Sequence, residues 1–309
     1  MEKVIINEVG LRDGLQIQPK FVPTDKKIEL VKSLIDSGVS SFEAASFVSP
    51  KAVPQMSDAV DFFQQLPNKD HIYYSALLFN QKGYERAVNA GAKSISIALA
   101  TTEKMNQANI RLSLSDAIKN LGNIMKIANQ DGFDTQAYIS TALGCPYEGK
   151  VSVDVVIELG NKMLEAGAKK IAIADTIGSG GPLLVEKLLS AAIKSFGKEK
   201  IIVHFHDTRA LALTNALVAL QLGVREFDTS IGGLGGCPFA PGAKGNLATE
   251  DLVFMLNDAG YETGISIEKL RKSVLIAEKH TGQTLGGRIT QWWISQEKKL
   301  SANKASAAE

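Results

Sequence analysis

The sequence predicts a single (β/α)8 barrel. Short strand-like runs alternate with helical segments from end to end, and eight such pairs can be counted along the chain. The length, 309 residues, leaves room for one or two helices beyond the roughly 250 residues such a barrel needs. A doubly wound open sheet shares the alternation, but no Gly-x-Gly-x-x-Gly follows the first strand.

Each pair can be read in order. A strand over Val4–Glu8 precedes a helical pattern near Thr24–Ser37. Ser41–Ala45 precedes Gln55–Leu66, Ile72–Leu78 precedes Gln81–Ala90, and Ser94–Ala98 leads to a long helix near Ser113–Gln130. Thr135–Ser140 precedes Val153–Ala166, and Lys170–Ala174 precedes Pro182–Phe196. Ile201–His206 leads to Ala210–Leu222, and Glu226–Ser230 to Thr249–Ala259. Gly38, Gly91, Gly167, Gly223 and Gly260 each stop a helix shortly before the next strand, a position that favours glycine. Ser266–Thr281 onward reads as one or two extra helices. One catalytic domain over residues 1–298 is expected, followed by a small, polar, frayed tail over 299–309.

Composition narrows the function. Apolar residues make up 45%, enough for a sizeable core, and 34 Lys+Arg balance 33 Asp+Glu. That balance gives no support to nucleic acid or an anionic membrane as the main partner. No apolar run approaches the roughly 18–20 residues of a membrane span. The first strand-like segment, Val4–Val9, starts just after Met1 and leaves no room for a signal peptide. Two cysteines, Cys145 and Cys237, are too few for a disulfide framework, which favours a reducing cytoplasm.

Strand seven carries the strongest chemical signal. Positions i and i+2 of a strand share a face, so His204 and His206 project side by side and can reach one ion. In a (β/α)8 barrel the active site lies at the C-terminal ends of the strands. There the chain places Arg12, Asp13 and Gln16 after strand one, and Glu43 with Ser46 on strand two. Asp175 ends strand six, Asp207 follows the histidine pair, and a Gly-rich segment containing Cys237 follows strand eight. Several of these have plainer readings. Arg12-Asp13 is also what a turn with a surface ion pair looks like, and Asp175 also reads as an N-cap for the next helix. A carboxylate with two imidazoles makes a mixed N/O ligand set, which suits Mg²⁺ or Mn²⁺ better than a closed Zn²⁺ site. Such a metal would polarise a substrate hydroxyl or carboxylate.

Longer strings then resemble a known family. They are Glu8-Val9-Gly10-Leu11-Arg12-Asp13-Gly14-Leu15-Gln16, Phe42 to Pro50, Ala142 to Gly149, His204-Phe205-His206-Asp207-Thr208, and Gly233 to Asn246. In order, and over essentially residues 1–298, they resemble the signatures of the 3-hydroxy-3-methylglutaryl-CoA lyases. The resemblance implies retro-Claisen cleavage of that acyl-CoA to acetyl-CoA and acetoacetate, a divalent metal, and a homodimer. It assigns Asp13, His204, His206 and Asn246 to the metal, and Arg12 to the enolate oxygen. Glu43 is implied as an acid near Arg12, Asp175 as an aid to proton transfer at the hydroxyl, and Cys237 as the thiol that protonates the acetyl-CoA carbanion. His204 shares in proton transfer, and Glu250 helps hold the loop end. Gln16, Ser46 and Asn109, with Arg12, are the expected substrate contacts.

The chain departs from the usual pattern at Leu11, where Pro is common, at Arg209-Ala210-Leu211, and at Gln107-Ala108. Related readings are a lyase for another 3-hydroxy-3-alkylglutaryl-CoA, a Claisen-condensing synthase, and a barrel that keeps the fold without catalysis.

Overall fold

The computed structural model describes residues 2–236 and 245–296. Its strands are β1 (Ile5–Glu8), β2 (Ser41–Ser46), β3 (Tyr73–Leu77), β4 (Ser94–Ala100), β5 (Asp134–Ser140), β6 (Lys170–Asp175), β7 (Ile201–Phe205) and β8 (Glu226–Thr229). All pair in parallel with their sequence neighbours, and β1 pairs with β8 to close the barrel. The expected (β/α)8 architecture is therefore the observed one.

The helices are α1 (Thr24–Asp36), α2 (Ala59–Gln64), α3 (Gln81–Asn89), α4 (Glu103–Ile110), α5 (Leu114–Gln130), α6 (Val153–Glu165), α7 (Pro182–Phe196), α8 (Ala212–Gln221), α9 (Thr249–Asp258) and α10 (Ile267–Thr281). A further helical stretch runs over 288–296. Side chains of Asn80, Ser113, Ser152 and Ser266 cap their helices by accepting an amide of the first turn. None of the described helices is long and apolar enough to cross a membrane.

Two elements differ from the sequence reading. The helix expected over Gln55–Leu66 is a short turn, Pro54–Met56, followed by α2. The break is pinned by Asp58, whose carboxylate accepts from Lys27 Nζ at 2.5 Å and Thr24 Oγ1 at 2.7 Å. Helix α4 was not anticipated. Only Met105 and Asn106 of its residues are buried, so no apolar stripe announced it, and Arg111 ends it in the left-handed conformation at φ 59°.

The outward faces of the strands, such as Ile95, Ile97, Ile171 and Ile173, join the large core beneath the helices. The barrel interior is different. Tyr138, Ala172, Ala174 and Ile202 form a small separate cluster. Beside it lie buried polar pairs such as Gln136 with Ser96 at 2.8 Å. Small and polar residues thus occupy positions that branched apolar side chains dominate in many such barrels. The extra C-terminal segment is hooked under the barrel mouth. Glu250 and Asp251, in the first turn of α9, accept the backbone amides of Gly287, Arg288 and Ile289.

Candidate metal centre and active site

The first strand ends in a single wide helical turn, Gly10–Gly14, in which the Val9 carbonyl accepts the amides of Arg12 and Asp13 at 3.1 and 2.7 Å. Turns of this π type recur at functional sites. The turn delivers Arg12 and Asp13 together to the C-terminal mouth of the barrel. Gly14 lets it sit there: a Cβ at this position would lie 2.8 Å from the Leu234 Cβ in the segment after β8. From below, buried Glu8 ties the same two segments together. Its Oε1 accepts the amides of Gly10 at 2.8 Å and Ile231 at 2.9 Å, and its Oε2 accepts the Thr249 hydroxyl.

Arg12 is not a surface pair. It is 7% exposed, its Nε and Nη2 both meet Oε2 of the fully buried Glu43, and its Nη1 donates to Asp13 Oδ1 at 2.5 Å. The buried acid of strand two thus has the partner its position demanded.

His204 and His206 rise from β7 on the same side, with their Nε2 atoms 3.1 Å apart. One ligand atom from each of Asp13, His204 and His206 lies within 4.8 Å of the others, the one such cluster among the described residues. Asn246 joins them because the segment after the Gly-rich loop returns to pair with the end of β7. The Leu247 amide donates to the Phe205 carbonyl at 2.9 Å, and His206 and Asn246 form a bridge pair. Asn246 Nδ2 donates to Asp13 Oδ2 at 2.8 Å and to the Leu234 carbonyl at 3.0 Å, which leaves its Oδ1 free.

These residues fit a divalent cation. Asn246 Oδ1 is buried with no hydrogen-bond partner among the described residues, a costly state unless an ion or ligand is meant to meet it. The 3.1 Å gap between the two imidazole nitrogens matches about the edge of an octahedron with bonds of about 2.1 Å. Charge state agrees at Asp13 and His206. Burial opposes ionisation of Asp13, but Arg12 and the two histidines hold it at about 2, so it is a carboxylate. Burial and neighbouring His204 push His206 down to about 3, leaving a neutral imidazole with a lone pair to give. Burial pulls His204 down as well, but the hydrogen bond and charge of Asp228, with Asp13, hold it above the ordinary value.

The cluster sits on one wall of a cavity of about 440 Å³, which Arg12, Gln16, Ser46 and Asn109 also line. All four expected substrate contacts therefore open onto the same space, and the buried Ser46 hydroxyl there has no partner among the described residues. Tyr138 and Thr176 line it too, and strand parity was the signal that could have found them. A second cavity, of about 410 Å³, lies at the opposite end of the barrel around Lys3, His71 and Lys170. That end serves stability in such barrels.

One expected catalytic residue falls elsewhere. Asp175 does not reach the cavity. Ala172 and Ala174 face inward, so Asp175 faces outward, and its carboxylate accepts the amides of Ser179 at 2.9 Å and Gly180 at 2.8 Å. It organises the loop before α7, close to the capping role that was its plainer reading. Glu250, expected beside the loop and not in the cavity, accepts the Gly232 amide on its Oε2 at 3.0 Å. Cys237 lies outside the described residues. Cys145 is a buried free thiol beside Thr102.

The HMGL-like family profile matches residues 3–275. A mitochondrial hydroxymethylglutaryl-CoA lyase of Rattus norvegicus is 45% identical over 269 residues, covering 87% of this chain and 83% of that protein. The crystal structure of the Bacillus subtilis HMG-CoA lyase superposes with a TM-score of 0.92 at 40% identity, covering 95% of this chain and 98% of that one. An HMG-CoA lyase from Acinetobacter baumannii, solved with coenzyme A and 3-methylmalate, gives 0.90 at 38% identity over 94% of each chain.

Proposed function

The chain belongs to the HMGL-like family, and we propose that it cleaves 3-hydroxy-3-methylglutaryl-CoA to acetyl-CoA and acetoacetate with the help of a divalent metal. The observation that carries this is the convergence of Asp13, His204 and His206 with Asn246, whose Oδ1 has no other partner, on the wall of a cavity lined by Arg12. The Acinetobacter baumannii relative binds coenzyme A together with a hydroxy dicarboxylate, the two chemical parts of a hydroxyacyl-CoA.

Mg²⁺ or Mn²⁺ held by Asp13, His204, His206 and Asn246 would supply Lewis acidity that lowers the pKa of the substrate's tertiary hydroxyl and offsets its free carboxylate. Loss of the hydroxyl proton, taken up by water in the cavity, leaves an alkoxide whose electron pair forms the C3–O double bond. The C2–C3 bond then breaks, its electron pair stays on C2 as the thioester enolate, and C3 becomes the ketone of acetoacetate. Arg12 faces the developing negative charge. Its guanidinium is held by Glu43 on one side and Asp13 on the other, so it is oriented before the reaction begins. Burial raises the Glu43 carboxyl while Arg12 opposes the rise, and the pair behaves as one unit. Gln16, Ser46 and Asn109 are the proposed substrate contacts, and their place in the cavity lining supports that reading. Asp175 acts through the loop it organises. The Cys237 thiol is the proposed donor of the proton that completes acetyl-CoA, and the family resemblance supports that role. The same reading places the enzyme in a reducing cytoplasm as a homo-oligomer, which the buried free Cys145 suits.

The test is a panel of acyl-CoA substrates with Mg²⁺, with Mn²⁺ and with excess chelator, products identified by mass. Acetyl-CoA and acetoacetate should form from 3-hydroxy-3-methylglutaryl-CoA only when metal is present. Full turnover in chelator, or preferred cleavage of a larger 3-alkyl analogue, would contradict the mechanism or the substrate respectively.

A further inference from the structure

Below the metal ligands the barrel carries a buried carboxylate whose direct hydrogen-bond partners are an amide, a phenol and an imidazole. Asp228 on β8 is 2% exposed, and its Cα is the register partner of His204 on β7. Its Oδ2 accepts the Tyr138 hydroxyl at 2.7 Å and lies 3.0 Å from His204 Nδ1, while its Oδ1 accepts Asn7 Nδ2 at 2.8 Å. The Asn7 oxygen in turn accepts the Ser41 hydroxyl at 3.0 Å. Asn7 and Tyr138 both donate to Asp228, and a carboxylate offers only lone pairs, so His204 Nδ1 carries a proton and donates it. The lone pair of His204 is thereby assigned to Nε2, the nitrogen that faces His206.

Asp228 is not itself among the groups that converge on the metal cluster. We propose that Asp228 is a positioning residue that fixes the tautomer and ring orientation of His204 for metal binding, with Tyr138 and Asn7 holding the carboxylate in place. Partners of this kind strengthen metal-bound histidines, and their loss typically costs about 10–100-fold in metal affinity. Asn7, Ser41, Tyr138 and Asp228 come from β1, β2, β5 and β8, so the orientation of one ligand is set by strands around the barrel.

The inference rests on the metal-dependent reading, and Mn²⁺ titration by calorimetry separates the two. Wild type, Asp228→Asn and Asp228→Ala are titrated without substrate, and thermal unfolding of the metal-free proteins checks folding. Asp228→Ala should weaken Mn²⁺ binding by about 10–100-fold. Asp228→Asn keeps the volume and one acceptor but sets its amide against Asn7, so it should fall between. Raising Mn²⁺ should restore turnover in Asp228→Asn, with the KM for acyl-CoA at saturating metal within two-fold of wild type, a split that general loosening of the barrel would not give. Mn²⁺ affinity within two-fold of wild type in a folded variant would overturn the proposal, and Asp228→Asn decides if the alanine variant does not fold. A wild type that binds no Mn²⁺ would instead overturn the metal-dependent reading.

Discussion

Replacing Arg12 by methionine should cost less stability at pH 5 than at pH 8, whereas replacing Glu43 by glutamine should show no such relief. The asymmetry follows from what each partner can do when left alone. Glu43 is fully buried and Arg12 is 7% exposed. Burial already raises the Glu43 carboxyl, and Arg12 is what opposes that rise, while the neighbouring charges of Asp228 and Asp13 add to it. Without Arg12 the folded protein therefore takes up a proton at Glu43 that the unfolded chain, titrating near an ordinary pKa of about 4.3, has already lost.

A folded pKa above the unfolded one means stability present at low pH and lost as pH rises through the folded value. The slope is about 1.4 kcal/mol per pH unit. Between pH 8 and pH 5 the Arg12→Met variant should regain up to about 4 kcal/mol relative to wild type. A guanidinium has no such escape. Glu43→Gln leaves its charge buried beside Asp13 alone, at a cost approaching the roughly 3–5 kcal/mol of a broken buried pair and flat across this range. Both variants should also lose turnover by about 10²–10³-fold, the magnitude of a lost oxyanion donor. Urea unfolding at each pH in chelator, as differences from wild type, measures the stabilities. An Arg12→Met penalty independent of pH, or an equal slope in Glu43→Gln, would refute the reasoning.

Two further outcomes are expected. Burial lifts Glu8 to about 7 despite the Thr249, Ile231 and Gly10 hydrogen bonds, so the stability it confers below the ordinary glutamate pKa of about 4.3 should fade as pH rises through about 7. That fading amounts to about 3 kcal/mol, and Glu8→Gln should flatten the corresponding stretch of the stability–pH curve measured by urea unfolding. Gly14→Ala places a methyl 2.8 Å from the Leu234 Cβ and should destabilise by about 1–3 kcal/mol, as overpacking does. In a Leu234→Gly background, which removes that Cβ, the Gly14→Ala penalty should shrink in the same assay, and strict additivity would show that the contact is not the cause.

Much of this site was legible in the chain because it sits at strand ends. The βα alternation located the C-terminal mouth of the barrel, and the i, i+2 spacing put His204 and His206 on one side. A carboxyl inside the apolar strand at Glu43 required a partner, and Arg12 is that partner. What escaped depends on register around the closed sheet. Asp228 meets His204 because β7 and β8 align those residues, and Tyr138 and Asn7 reach the same carboxylate from β5 and β1. Such partners lie far apart in sequence, and a shift of one residue would exchange their faces. The outward turn of Asp175, by contrast, was available from parity, since Ala172 and Ala174 occupy the inward positions. Helix α4 was hidden because its residues are mostly polar and exposed.

The central claim is that Asp13, His204, His206 and Asn246 hold one divalent cation. Crystals grown with Mn²⁺ and measured for its anomalous scattering test it directly. The account predicts a single strong peak within bonding distance of Asp13, both histidines and Asn246 Oδ1. A peak elsewhere, or none at saturating Mn²⁺, would contradict it.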